Sequence, residues 1–97
     1  MAGDEQQTAS EKPHLLVVED NDDLRDFLAS ILESEYEVTQ AINGREGLEK
    51  ARALHPDFIL TDVMMPEMDG LSMVREIKSD ANTSHIPIVI LSAKASM

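Results

Sequence analysis

The chain of 97 residues has no cysteine and few basic side chains. Without cysteine there is no disulfide framework and no thiolate chemistry, which fits a reducing compartment. Eight Lys and Arg stand against 19 Asp and Glu, and the formal net charge is −11. This balance argues against nucleic acids and anionic membranes as partners, because both repel a negative surface. It favours cations and basic protein surfaces.

Long hydrophobic runs are also lacking, since none approaches the ~20 residues that a membrane-spanning helix needs. The N-terminal stretch MAGDEQQTAS is polar and acidic, unlike a secretory signal. We expect residues 1–13 to be a disordered tail or an interdomain linker, because they contain no Leu, Ile, Val or Phe. Residues 14–97 then form the single small domain that this length allows.

Strand-like runs recur along the rest of the chain. The apolar run HLLVV (14–18) predicts a buried strand, and 36–41 alternates like a half-exposed edge strand. Residues 57–62 and 86–93 predict two more strands, the first of them central. Single helical segments separate these runs, so the sequence predicts βαβ units, a parallel sheet and an open, doubly wound α/β fold.

Three helices are predicted between the strands. Asn21 is placed to cap the first, and Asn43 with Glu46 resembles a capping box that opens the second. The second ends at His55 and Pro56, and the third begins at Gly70. The stripe of the first helix is Leu24, Phe27, Leu28, Ile31 and Leu32, and the residues expected to face inward later are Leu48, Ala51, Leu54, Leu71, Val74 and Ile77.

Carboxylates follow two of the predicted strands. Glu19 and Asp20 come directly after the first strand and Asp62 ends the third, where the crevice of an open parallel sheet lies. If these strands are neighbours, the acids converge, and the repulsion between their negative charges raises the pKa of each. A bound Mg²⁺ would remove this repulsion. An Asp beside such a metal can act as a nucleophile toward a phosphoryl group, and the hydroxyl of Ser92, at the end of the fourth strand, could bind a phosphoryl oxygen.

Three segments carry a family resemblance. LLVVEDNDDLRDFL, PDFILTDVMMPEMDG and IPIVILSA, in this order, closely resemble the receiver domain of bacterial two-component response regulators, in the style of hybrid sensor kinases. The resemblance runs from about His14 to the last residue. It implies a flavodoxin-like sheet with strand order 2-1-3-4, and it leads us to expect a domain incomplete at its C-terminus, without the fifth strand and last two helices.

Carried over position by position, the resemblance implies roles for individual residues. Asp62 would be the phosphoacceptor, with Mg²⁺ bound by Asp62, by the acidic pair Glu19 and Asp20 and by the backbone carbonyl of Met64. Ser92 would be the switch hydroxyl that contacts the phosphoryl group. The side chains expected to tune dephosphorylation are those of Met64 and Lys94.

The implied partner is a histidine kinase or phosphotransfer domain that donates from a phosphohistidine. We expect a cytoplasmic bacterial domain, for instance within a membrane-bound hybrid kinase, that catalyses its own phosphorylation and dephosphorylation. The lysine that the family carries on its fifth strand is absent, so the alternative is a fragment that keeps the fold as an interaction module without phosphotransfer. An apolar edge at the fourth strand would favour a dimer or a domain swap.

Two other function classes fit less well. A flavodoxin-like nucleotide or flavin module would need a glycine-rich or hydroxyl-rich phosphate loop after the first strand, where VVEDNDD is acidic. A phosphatase with an aspartate nucleophile would need a second acid two residues after Asp62, where Met64 stands. The serious rival to a working receiver is therefore the fragment without phosphotransfer.

Overall fold

Four strands and three helices alternate in the computed structural model, which describes residues 12–65 and 67–91. The strands are β1 (His14–Val18), β2 (Glu37–Ala41), β3 (Phe58–Asp62) and β4 (Ile88–Leu91), and the helices are α1 (Asp22–Leu32), α2 (Gly44–Leu54) and α3 (Gly70–Ser79). All pairings are parallel, and the strand order is β2-β1-β3-β4. The predicted α/β fold and strand order are confirmed.

β1 lies at the centre of the sheet. Leu15 is paired with Val38 of β2 on one side and with Phe58 of β3 on the other. From Leu15 to Val18 the strand is buried along its whole length. Such a continuous apolar run is what a central parallel strand requires, because both of its faces are turned away from water.

Each helix begins at a polar cap. The side-chain oxygens of the caps accept hydrogen bonds from amides three residues on: Asn21 from Leu24 at 2.9 Å, Asn43 from Glu46 at 2.8 Å and Asp69 from Ser72 at 2.8 Å. The Glu46 carboxylate accepts in return from the amide of Ile42 at 2.7 Å, one residue before the expected partner. The two asparagine caps are confirmed.

Helices α2 and α3 cover one face of the sheet. The core between them and the sheet consists of Leu16, Val18, Ala41, Leu48, Ala51, Ile59, Met73, Ile77 and Ile86. A Cβ at Gly47 would lie 2.7 Å from the Met73 sulfur and 2.9 Å from a Val18 methyl carbon. Glycine at this position therefore lets α2 approach both β1 and α3.

The other face of the sheet carries α1. Right-handed crossovers place α1 opposite α2 and α3, because the chain moves from β1 to β2 in one direction and from β2 to β3 in the other. Phe27 is 59% exposed and Ile31 is 53% exposed. The prediction that the whole apolar stripe of this helix packs inward is therefore wrong at these two positions. Within the described residues, no second helix packs beside α1.

A groove of about 250 Å³ lies on this face. Its lining is Leu15, Leu32, Tyr36, Phe58, Ile59, Leu60 and Val89.

Two other residues expected to face inward are exposed, Leu54 at the last position of α2 and Leu71 in the first turn of α3. Met73 takes the inward position of α3 instead, one helical turn before Ile77. None of the described helices has the length and apolar character to cross a membrane.

Candidate functional site

Three carboxylates meet at the carboxyl edge of the sheet. Val18 is paired with Thr61, so Glu19 and Asp20, which follow β1, come beside Asp62 at the end of β3. One oxygen from each of the three carboxylates lies within 4.8 Å of the other two. The convergence expected from the sequence is therefore present.

Glu19 is the most buried of these acids, with 2% of its surface exposed. Its Oε2 accepts a hydrogen bond from the Asn21 amide at 3.0 Å. Its Oε1 is buried, and no described residue donates a hydrogen bond to it. Burial raises the pKa of the Glu19 carboxyl, the Asn21 amide acts in the opposite direction, and the negative charges of Asp62 and Asp20 raise the pKa further.

Asp62 is half-buried and held by the backbone. Its Oδ1 accepts a hydrogen bond from the Val63 amide at 2.7 Å. Thr61, which is fully buried, donates its hydroxyl to the Asp62 carbonyl at 2.9 Å. These contacts hold one carboxylate oxygen and the main chain of Asp62 in place at the end of β3.

Two glycines, Gly70 and Gly44, lie in close contact with main-chain atoms at the end of β3 and in the loop after Asp62. The Gly70 amide donates to the Val63 carbonyl at 2.9 Å, and a Cβ at Gly70 would overlap the Asp62 carbonyl oxygen. Likewise, a Cβ at Gly44, the first residue of α2, would overlap the Met68 carbonyl oxygen. Both positions need glycine because backbone approaches backbone there.

Arg25 contacts the site, and the sequence did not predict this. Its Nη1 donates to the main-chain carbonyl of Glu19 at 2.8 Å, its Nε to the Gln40 side chain at 3.1 Å and its Nη2 to Asp22 at 2.6 Å. The side chain is only 11% exposed. An arginine in a charged helix gives no signal of this role, because its partners come together only in the folded chain.

The donor set fits a hard divalent cation. Three carboxylates offer oxygen ligands within reach of one ion, and the buried Oε1 of Glu19 has no hydrogen-bond partner among the described residues. Mg²⁺ prefers oxygen ligands and commonly takes one or two carboxylates with waters. The residues present therefore fit Mg²⁺.

The remaining predicted site residues are less defined. The side chain of Met64 is 61% exposed, and the role of its backbone carbonyl stays a prediction. Ser92 and Lys94 lie outside the described residues, as does Pro66 in the loop after Asp62.

Comparison with known proteins gives one consistent result. The family described as response regulator receiver domain matches residues 15–97. Hybrid signal transduction histidine kinase D of Dictyostelium discoideum is 48% identical over 90 residues, which cover 93% of this chain and 6% of that protein. The chain therefore spans a small part of the length of this relative.

Solved structures agree with the sequence matches. The N-terminal domain of a response regulator receiver protein from Methanoculleus marisnigri JR1 is similar with a TM-score of 0.80 and 38% identity, covering 84% of this chain and 67% of that one. The signal receiver domain of a histidine kinase from Syntrophus aciditrophicus gives 0.77 and 36%, covering 81% of this chain and 61% of that one.

Proposed function

Because this chain belongs to the response regulator receiver family, we propose that Asp62 accepts a phosphoryl group from a phosphohistidine, with Mg²⁺ bound by Glu19, Asp20 and Asp62. The observation that carries the proposal is the convergence of these three carboxylates, one of which, Glu19, has a buried oxygen without a hydrogen-bond partner among the described residues. The backbone carbonyl of Met64 is the further ligand that we propose.

The proposed reaction is a transfer between two side chains. A carboxylate oxygen of Asp62 forms a bond to phosphorus while the P–N bond of the phosphohistidine breaks, and the electron pair of that bond returns to the imidazole nitrogen. The Val63 amide donates a hydrogen bond to Oδ1 of Asp62, and we propose Oδ2 as the oxygen that attacks phosphorus. Mg²⁺, when bound, neutralises charge on the phosphoryl oxygens. We assign Ser92 a hydrogen bond to the transferred group, and Met64 and Lys94 an influence on its hydrolysis.

Receiver domains interact with histidine kinases or phosphotransfer domains. Since this chain spans 6% of its hybrid kinase relative, the kinase that serves it and the activity of the complete protein belong to the proposal. We place the phosphotransfer in the cytoplasm and propose that residues 1–13 are a disordered tail or an interdomain linker. Self-association through β4 or the face beside α1 is a further part of the proposal, because both expose apolar side chains.

The proposal is tested by the intact mass of the purified chain after incubation with a small acyl phosphate. We expect one added phosphoryl group in the presence of Mg²⁺ and none after removal of the metal or in Asp62→Asn. Asp26→Asn is the matched control, since it removes the same charge from an exposed position of α1. If the wild-type chain is folded by circular dichroism and gains no phosphoryl group, it is an interaction module that keeps the fold without phosphotransfer.

A further inference from the structure

We propose that Arg25 is a positioning residue for the metal site, which it shapes by fixing the main chain of Glu19. This inference rests on the proposed function, because it concerns the same acidic cluster. Arg25 lies on α1, and its guanidinium reaches back across the loop between β1 and α1 to the Glu19 carbonyl at 2.8 Å. It does not contact the carboxylate that would bind the ion.

With Arg25 in place, Glu19 is held at three points. Its amide donates to the Ala41 carbonyl at the end of β2 at 3.0 Å, and its carbonyl accepts from Arg25. Its Oε2 accepts from the Asn21 amide at 3.0 Å. Both main-chain groups and one carboxylate oxygen of Glu19 are thus held, and the remaining oxygen, Oε1, is buried without a hydrogen-bond partner among the described residues. These contacts hold the carboxylate at the cluster with Asp20 and Asp62.

Arg25 can fix Glu19 because it is itself tied to the sheet. Its Nε donates to the side-chain oxygen of Gln40 on β2 at 3.1 Å. The main-chain carbonyl of Gln40 in turn accepts a hydrogen bond from Lys50 of α2 at 2.6 Å. The loop that carries the acidic pair is therefore connected, through one guanidinium, to a strand that a second helix also holds.

Arg25 acts through geometry more than through charge. Its Nη2 is paired with the carboxylate of Asp22 at 2.6 Å, which compensates the positive charge at the surface. Three donors that point in three fixed directions are a property of the planar guanidinium, and the ammonium of lysine cannot reproduce them. Replacing a residue that does not bind the metal but forms a hydrogen bond to one of its ligands commonly lowers metal affinity by about 10- to 100-fold.

The test is the Mg²⁺ dissociation constant of the unphosphorylated chain, measured by titration calorimetry. We expect Arg25→Met to weaken Mg²⁺ binding by about 10-fold. Arg25→Lys keeps the charge and is expected to lose affinity as well, whereas an electrostatic role would leave it unchanged. Gln40→Ala removes only the anchor of the guanidinium and is expected to cause a smaller loss in the same direction.

Arg52→Met is the matched control. Arg52 also forms two ion pairs, at 3.8 Å with Glu76 and 3.5 Å with Asp80, but these join α2 to α3. This variant removes one positive charge and its contacts, and we expect it to bind Mg²⁺ like the wild type. A general effect of net charge would weaken or strengthen binding in both variants alike, and such a result would overturn the role of Arg25.

Phosphorylation gives a second readout. With the acyl phosphate as donor, the Arg25 and Gln40 variants are expected to need more Mg²⁺ for the half-maximal rate and to reach the wild-type rate at saturating Mg²⁺. If Arg25→Met is less stable but binds Mg²⁺ with unchanged affinity, the role of Arg25 is structural and the proposal is wrong. If Arg25→Met does not fold, unchanged Mg²⁺ affinity in Gln40→Ala overturns the proposal instead. No Mg²⁺ binding by the wild-type chain would instead overturn the proposed metal site itself.

Discussion

At the scale of single residues, Glu19 links the stability of the fold to pH. Burial raises the pKa of its carboxyl above the ordinary value of 4.5, so the folded state holds the proton more tightly than the unfolded state does. The stabilisation that this proton brings is fully present below pH 4.5 and is lost as pH rises through the pKa of the folded state. The ionised carboxylate is thus a cost to the metal-free domain at neutral pH.

We therefore expect Glu19 to contribute a fall in the free energy of unfolding as pH rises above 4.5 in Mg²⁺-free buffer. The Glu19→Gln variant lacks this contribution and should be more stable than the wild type at pH 7 by about 1 kcal/mol, because its amide can donate a hydrogen bond to a neighbouring carboxylate. Urea unfolding at several pH values measures both effects. Parallel pH profiles for the two proteins would contradict the prediction.

Added Mg²⁺ is expected to stabilise the wild-type chain and to have much less effect on Glu19→Gln. A ligand that binds only the folded state raises its stability by mass action, and the variant lacks one of the three charges that attract the ion. The same urea titrations, repeated with increasing Mg²⁺, give the comparison. Equal stabilisation of both proteins by Mg²⁺ would show that Glu19 is not a ligand.

The two asparagine caps and the acids of the site could be predicted at this scale, whereas Arg25 could not. Asn21 and Asn43 bond to amides three residues away, so their role is written in a short stretch of sequence. Arg25 reaches Gln40, 15 positions along the chain, and this contact exists only because α1 lies over β2. Side-chain contacts between elements depend on packing angles, which periodicity does not encode.

At the scale of elements, the start of α2 should depend on its cap. Asn43→Ala removes the acceptor for the Glu46 amide and is expected to lower the free energy of unfolding by about 1 kcal/mol. Asn43→Asp keeps an acceptor oxygen at this position and should stay close to the wild type. Urea denaturation measures the difference, and a loss of the same size in both variants would argue against the cap.

The two glycines beside the loop after β3 form a matched pair. Gly70→Ala places a methyl group against the Asp62 carbonyl and Gly44→Ala places one against the Met68 carbonyl, so each is expected to cost about 1–3 kcal/mol of stability. Only Gly70→Ala pushes directly on the residue that carries the proposed acceptor. We expect it to slow phosphorylation of the folded protein more than Gly44→Ala does, as measured by intact mass over time. Equal rates in the two variants would contradict this.

The order of elements followed from the sequence, while the exposure of their faces did not. Apolar runs and caps place the strands and helices, and the family resemblance implies that β1 lies beside β3. The stripe of α1 predicted a buried face, yet Phe27 and Ile31 are exposed because no second helix lies beside them among the described residues. Periodicity shows which side of a helix is apolar, but not whether another element covers it.

At the scale of the whole molecule, the apolar face beside α1 predicts self-association. Phe27, Ile31 and Val89 are each more than half exposed, and large exposed apolar patches mark contact surfaces. We expect sedimentation velocity to show the 97-residue chain associating as its concentration rises. Phe27→Gln with Ile31→Gln should reduce association while changing stability by no more than about 0.5 kcal/mol per site.

Leu54→Gln is the control for this experiment. Leu54 is 44% exposed at the end of α2, on the opposite side of the sheet, so its replacement should leave association unchanged. A wild-type chain that stays monomeric at all concentrations, or variants that associate like the wild type, would rule out this face as the contact surface.

The central position of β1 also sets the order in which the chain can fold. Both of its partner strands come later in the sequence, and parallel pairing excludes a local hairpin. During synthesis, roughly 40 residues separate β1 from the start of β3, a delay of roughly 2–8 s at about 5–20 residues per second. In that interval β1 is an apolar segment without its full set of neighbours. Glu19 and Asp20 follow β1 directly in the sequence, and their negative charges oppose aggregation of the nascent strand. They do so before Asp62, which lies beside them in the folded domain, has been synthesised.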